Sequence, residues 1–161
     1  MSCKLLINEL EPLKDPKPFA NTIYNNFKYL ASVPQLQHSI GEITRLLTDP
    51  NFFGITATTN CTNNTNKIVG YLVGKLENLD DGRYVCYISY IYVAQKYRNL
   101  KVGSYMINRI IQMCANKGIQ FLMLTCDTTD EKVYKFYLKR GFVKDPIIPG
   151  IGPHTVFVKY L

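Results

Sequence analysis

Apolar residues recur at helical spacing in the first third of the chain and gather into short runs over much of the rest. Phe19, Ile23, Phe27 and Leu30 fall at i, i+4, i+8 and i+11, and Leu36, Ile40, Ile43 and Leu47 at i, i+4, i+7 and i+11. This spacing predicts helices over 18–30 and 34–47, each with one buried face. Weak alternation over 4–10 predicts an opening strand, set apart by a loop carrying Pro12, Pro16 and Pro18. Runs rich in β-formers at 52–59 and 68–76 flank the polar segment NCTNNTN, which is a hairpin signal. NLDDGR then turns the chain into 84–93, a run too apolar for an edge strand and predicted to be central. Val102, Met106, Ile110, Met113 and Cys114 predict a helix over 102–117, stopped by Gly118. A strand over 119–126 follows. Thr128 and Glu131 are spaced as a capping box for a helix over 131–140, stopped by Gly141. Residues 142–143 and 155–160 supply closing strands. The order βααβββαβαββ predicts an α/β fold with a mixed sheet in one domain over 1–161, with no repeat and no linker.

With 161 residues, 47% of them hydrophobic and 12% aromatic, the chain can bury one sizeable core. No apolar stretch reaches the length of a membrane span, and the amino terminus lacks a secretory pattern, so a cytoplasmic or nuclear protein is expected. Five cysteines are widely separated and none form a CxxC pair, which argues against a disulfide framework and a zinc site. The two histidines, His38 and His154, lie far apart in sequence, so no histidine metal centre is expected.

Charge changes the picture. Residues 1–81 carry 7 basic and 8 acidic side chains, whereas 82–161 carry 12 and 4, with no carboxylate from Gly82 through Cys126. An anionic ligand is expected in that half. The bases stand singly among apolar residues, which suits a compact polyphosphate better than nucleic acid. They centre on ISYIYVAQKYRNLKVGS, where a strand ends, a basic loop follows and a helix begins. The first turn of a helix offers unpaired amides and a positive dipole end to phosphate, and Lys96, Arg98 and Lys101 surround it. On these residues alone, a solvated basic loop is an equal reading. The nucleoside-triphosphate loop GxxxxGK followed by Ser or Thr is absent.

The passage from strand through YRNLKVGS into a helix, with strand, capped helix and FYLKRGF following, resembles the GNAT superfamily of acetyl-CoA-dependent N-acetyltransferases. The resemblance covers roughly 68–142. The family pattern Q/R-x-x-G-x-G/A is met at Arg98 and Gly103, with Lys101 in place of the first glycine. The aromatic-Tyr-x-x-x-Gly-Phe helix end is met by Phe136, Tyr137, Gly141 and Phe142.

The resemblance implies direct transfer of acetyl from acetyl-CoA to a primary amine, small-molecule or peptide, in a ternary complex without a metal. It implies that Ile91, Tyr92 and Val93 pair with pantetheine, with the Val93 amide polarising the thioester. It implies that Arg98, Asn99, Leu100, Lys101, Val102, Gly103 and Ser104 cradle the pyrophosphate, with Asp130 added to the cofactor set. Tyr137 would protonate the departing thiolate; read from the residues alone, it is a core tyrosine at helical spacing with Val133 and Phe136. Lys101 is expected in helical backbone, which a lysine tolerates. The strand 84–93 has no carboxylate to deprotonate the amine, so Tyr87 is the candidate base, with Glu77, Asp80 or Asp81 acting through water as the other route. Some N-terminal amine acetyltransferases pair such a tyrosine with a histidine on the next strand, where this chain has Thr125. A Cys126 acyl-enzyme has no histidine nearby in sequence. The alternative function is a CoA-binding or protein-interaction module of the same fold with weakened catalysis. No membrane or nucleic-acid partner is expected, homodimerisation is left open, and the acceptor would be bound by residues 18–47 and by loops.

Overall fold

The computed structural model describes residues 4–10, 13–60 and 67–161; Cys3, Cys61, Pro12 and most of the NCTNNTN segment lie outside them. Among the described residues seven strands form one sheet: β1 (Lys4–Glu9), β2 (Phe52–Asn60), β3 (Lys67–Asn78), β4 (Tyr84–Val93), β5 (Phe121–Asp127), β6 (Val143–Lys144) and β7 (His154–Tyr160). Their order is β1-β2-β3-β4-β5-β7-β6, so β4 is central. Every pair is antiparallel except β4 with β5. A parallel neighbour needs a crossover, and α3 (Val102–Asn116) supplies it. The fold is mixed α/β, with the remaining helices at α1 (Lys17–Phe27), α2 (Ile40–Leu47) and α4 (Glu131–Lys139). Among the described residues no helix is long and apolar enough to cross a membrane.

One face of the sheet is covered by α3. Its Val102, Met106, Ile107, Ile110 and Cys114 are buried against Ile55, Leu72, Ile88 and Leu124, together with Tyr137 of α4. The other face is covered by α1 and α2, where Ala20, Ile23, Ile43 and Leu47 meet Tyr71, Val73 and Tyr90. Gly118 and Gly141 follow α3 and α4 in left-handed backbone, as the stop signals predict.

Three local expectations are corrected. The first helix ends at Phe27 and tightens into a 3₁₀ turn over Lys28–Ser32. The second begins at Ile40, not near Pro34, and Leu36 lies outside it. Its start is fixed by a capping box, in which the Ser39 side chain accepts from the Glu42 amide and Glu42 accepts from the Ser39 amide. The Thr128–Glu131 capping box does not form. Thr128 instead donates to the Pro153 carbonyl, and the Asp130 carboxylate caps α4 by accepting from the Val133 amide at 3.3 Å.

Candidate active site

The site follows from a gap in the sheet. Parallel pairing joins only Val85, Cys86 and Tyr87 to Phe121, Leu122 and Met123, although β4 runs on to Val93 and β5 to Asp127. Past Tyr87 the strands part, and the edge of β4 that faces β5 has no ladder partner. A bulge sits at the same place: Val73 opposes Tyr90 and Gly74 opposes Ile88, leaving Ser89 as the extra residue. Only glycine fits at residue 74, since an added Cβ would lie 1.9 Å from the Tyr87 carbonyl oxygen.

On one side of this opening lies a cavity of about 370 Å³. Its walls gather residues that the resemblance assigned to cofactor binding: Ile91 and Val93 of β4, then Arg98, Asn99, Lys101, Val102, Gly103 and Ser104, with Tyr137 at its inner end. Leu100 is 60% exposed and outside the lining. The Tyr92 ring stacks on Tyr71 toward the α1 side, 5.5 Å between centroids. Asp130 lines the neighbouring cavity rather than this one.

The loop entering α3 is shaped for an anion. The first intrahelical bond that crosses the cap is Tyr105 N–H to the Lys101 carbonyl, so the amides of Val102, Gly103 and Ser104 precede the helical ladder. No side chain caps them from Lys101. Gly103 lies under the Phe136 ring, 3.3 Å from where a Cβ would stand. Arg98 donates from Nε to the Val93 carbonyl at 2.9 Å, which ties the loop to the end of β4. Arg140 reaches Ser104 Oγ, donates to the Phe136 carbonyl at 2.8 Å and stacks on the Phe136 ring at 3.6 Å. No carboxylate lines this cavity among the described residues.

Lys101 corrects a further expectation. It is not helical but occupies left-handed backbone at φ 64°, as does Asn99 at φ 67°. Glycine adopts this conformation without cost, whereas a Cβ makes it unfavourable, so the family glycine marks a backbone demand that lysine meets under strain.

A second cavity of about 560 Å³ lies on the other side, between β4, β5 and the segment joining α1 to α2. Ile91, Val133 and Tyr137 line both cavities, so Tyr137 stands where they meet. Tyr137 is 5% exposed, packs edge-on against Phe136 and Phe142, and its hydroxyl has no hydrogen-bond partner among the described residues. Burial, reinforced by nearby Cys126, raises its pKa, which keeps the phenol protonated. Tyr87 shares a 2.6 Å hydrogen bond with Thr125 Oγ1, and burial raises its pKa as well. The Cys126 thiol is pushed up to about 11 by burial, leaving it a poor nucleophile.

Both histidines line this second cavity. His38 is bonded through Nδ1 to the Tyr90 hydroxyl, and His154 pairs across the sheet with Asp127. Sequence distance concealed this: the loop before α2 and the first residue of β7 meet only after the sheet closes. Glu77, Asp80 and Asp81 line neither cavity. Glu77 pairs with Lys75 at 3.1 Å, and Asp81 holds Arg83 at 2.8 Å. Among the described residues, no group of three or more His, Cys, Asp or Glu could hold a metal ion.

Residues 22–142 match the acetyltransferase (GNAT) family. No curated protein matches the chain in sequence. Solved structures share its fold at low identity. An acetyltransferase of the GNAT family from Staphylococcus aureus Mu50 is 19% identical, with 97% of this chain and 99% of that one covered at a TM-score of 0.68. The PaiA N-acetyltransferase from Thermoplasma acidophilum, in complex with coenzyme A, is 16% identical over 100% of both chains at 0.62. An aminoglycoside acetyltransferase from an uncultured soil metagenomic sample, in complex with sisomicin, is 19% identical, covering 91% and 94% at 0.65. With the matched segment spanning most of its length and the fold agreeing throughout, the chain belongs to the acetyltransferase (GNAT) family and is by class an acyltransferase.

Proposed function

We propose that this chain, folded as a single domain, transfers the acetyl group of acetyl-CoA to a primary amine by direct attack within a ternary complex. The observation that carries the reading is the junction at Tyr137 of a basic cavity and a second cavity of the opposite charge. Acetyl-CoA supplies an activated thioester and a thiolate leaving group. The smaller cavity fits it chemically: free amides at the start of α3 and the cations Arg98, Lys101 and Arg140 suit a pyrophosphate, and the unpaired edge of β4 suits the amides of a pantetheine arm. Ile91 and Val93 are the strand positions that offer it backbone, and the Val93 amide is the donor for the thioester carbonyl.

The amine enters from the larger cavity. Its nitrogen bonds to the carbonyl carbon, the carbon–sulfur bond breaks, and the Tyr137 hydroxyl gives its proton to sulfur. The raised pKa of Tyr137 suits an acid that must hold its proton until charge develops. Tyr87 is the residue assigned to help the amine lose its proton, through its hydroxyl and the Thr125 bond. As its phenol is held neutral by burial, it acts as a relay and not as a standing base: it takes the amine's proton as it gives up its own to solvent, and solvent returns a proton to Tyr137, so the products are the amide and the free CoA thiol.

Thiol release from acetyl-CoA, measured with a panel of amines, tests the reading. Amine-dependent release at one cofactor site per chain is expected. Binding of CoA without release for any amine would leave a cofactor-binding module, and no binding at millimolar-scale ligand would remove the reading altogether. Tyr87→Phe is expected to slow release at fixed CoA affinity; an unchanged rate would make Tyr87 a packing residue.

A further inference from the structure

The acceptor cavity carries a chemical bias that neither the fold nor the transfer reaction requires. Asp127 ends β5 and Asp130 caps α4, and both face the cavity, while no Lys or Arg lines it among the described residues. Among the described residues neither carboxylate is spent on a salt bridge. Asp127 accepts from the Thr129 amide and hydroxyl through Oδ1 alone, at 2.9 and 2.7 Å, and Asp130 accepts from the Val133 amide through Oδ1 alone, at 3.3 Å. Each therefore keeps an oxygen without a protein partner among the described residues. Tyr29, itself 67% exposed, lines the same cavity, and its pKa is raised by partial burial and then by the charges of Asp127 and Asp130. Phe27 and Tyr90 add aromatic faces to the same wall. At the opposite end stands the Tyr137 side chain, which is nine-tenths buried and lines both cavities; its hydroxyl has no protein partner among the described residues and marks where the reacting nitrogen must arrive.

Resting on the transfer reading, we infer that the acceptor is a small amine bearing at least two ammonium groups, one presented at Tyr137 while another is held by Asp127 and Asp130 beside the aromatic wall. A cavity of about 560 Å³ is larger than a simple monoamine fills and has room for a chain or ring between two such groups. Carboxylate oxygens and aromatic faces both attract an ammonium, and neither favours an anionic or neutral partner. Linear oligoamines and amino sugars share this chemistry.

The test compares hexylamine with 1,6-diaminohexane, using spermidine and sisomicin as the linear and ring arms. The diamine is expected to exceed the monoamine in kcat/KM on the order of tenfold, through KM, with the advantage shrinking as salt rises. Asp127→Asn combined with Asp130→Asn keeps the turn and the helix cap, because asparagine serves both roles, and should bring the diamine-to-monoamine ratio toward one. Equal use of diamine and monoamine, or a ratio that survives the double substitution, would overturn the inference while leaving the transfer reading intact. Should no amine be acetylated, the transfer reading fails by itself, and calorimetric binding of the same amines to the CoA-saturated protein still decides the inference: equal affinities overturn it.

Discussion

The two cavities that meet at Tyr137 share β4 and α4 but have opposite chemistry. The smaller is walled by Arg98, Lys101 and Arg140 with no carboxylate among the described residues; the larger has Asp127 and Asp130 with no Lys or Arg. The division is topological. Where β4 and β5 part, β4 leads into the basic loop before α3, and β5 leads into the acidic turn before α4. A net charge of +7 would suggest one cationic surface, yet the fold sorts the charges onto the two sides of one opening. An anionic donor and a cationic acceptor can thus be held side by side without either occupying the other's place.

The largest effect should come from the residue the cavities share. Tyr137→Phe preserves the ring contacts with Phe136 and Phe142 and removes only the hydroxyl. Turnover is expected to fall on the order of 10²- to 10⁴-fold with CoA affinity nearly unchanged, as measured by thiol release and calorimetry. An unaltered chemical step would return Tyr137 to a core residue and separate the cavities functionally.

A smaller effect, on stability alone, should come from a region that belongs to neither cavity. Arg83, immediately before β4, forks onto Asp145 at 2.6 and 2.9 Å and onto Asp81, and the Asp145 side chain is fully shielded. Asp145→Asn should destabilise by about 3 kcal/mol, the low end for breaking a shielded pair, because Asp81 still holds the guanidinium. The melting midpoint should fall on the order of 10 °C. The Arg83 hydrogen bonds hold the Asp145 carboxyl below the usual carboxylate range. A depressed carboxylate contributes its stability above its unfolded pKa and loses it as pH falls through its folded value. The deficit of Asp145→Asn should therefore be full at neutral pH and close in acid, as melting at several pH values would show. Loss of acceptor preference in this variant would mean that the opening depends on the far end of the sheet.

What the sequence made legible divides along the same line. The central strand, α3 and the FYLKRGF helix end carry local signals: an apolar run, a helical period and glycines that stop helices. From these the cofactor side could be outlined. The acceptor side depends on contacts between segments remote in sequence, such as His38 with Tyr90 and Asp127 with His154, which no local period reveals. The misplaced start of α2 has a different cause. Ser39 and Glu42 are a capping signal visible in the sequence, but Leu36 and Pro34 continue a helical pattern upstream, and the cap prevails because it satisfies otherwise unpaired amides.

The smallest effects are expected at Lys101, where binding and stability should move in opposite directions. Were the residue helical, glycine would cost up to roughly 1 kcal/mol there. At φ 64° the sign reverses, since lysine bears a left-handed penalty of about 1–2 kcal/mol that glycine avoids. Glycine's greater unfolded-state freedom returns about 0.4–1 kcal/mol of that, so Lys101→Gly should be unchanged or modestly stabilised in melting. Its affinity for CoA should weaken, because Lys101 is one of three cations lining a cavity without a carboxylate, and the loss should shrink as salt rises. Lys101→Ala separates the two terms: it removes the same charge but keeps a Cβ in left-handed backbone, so it should match glycine in binding and fall below it in stability. Equal or tighter CoA binding by Lys101→Gly at low salt would show that the loop amides and Arg98 suffice for the phosphates, and that the basic character of this cavity does not depend on Lys101.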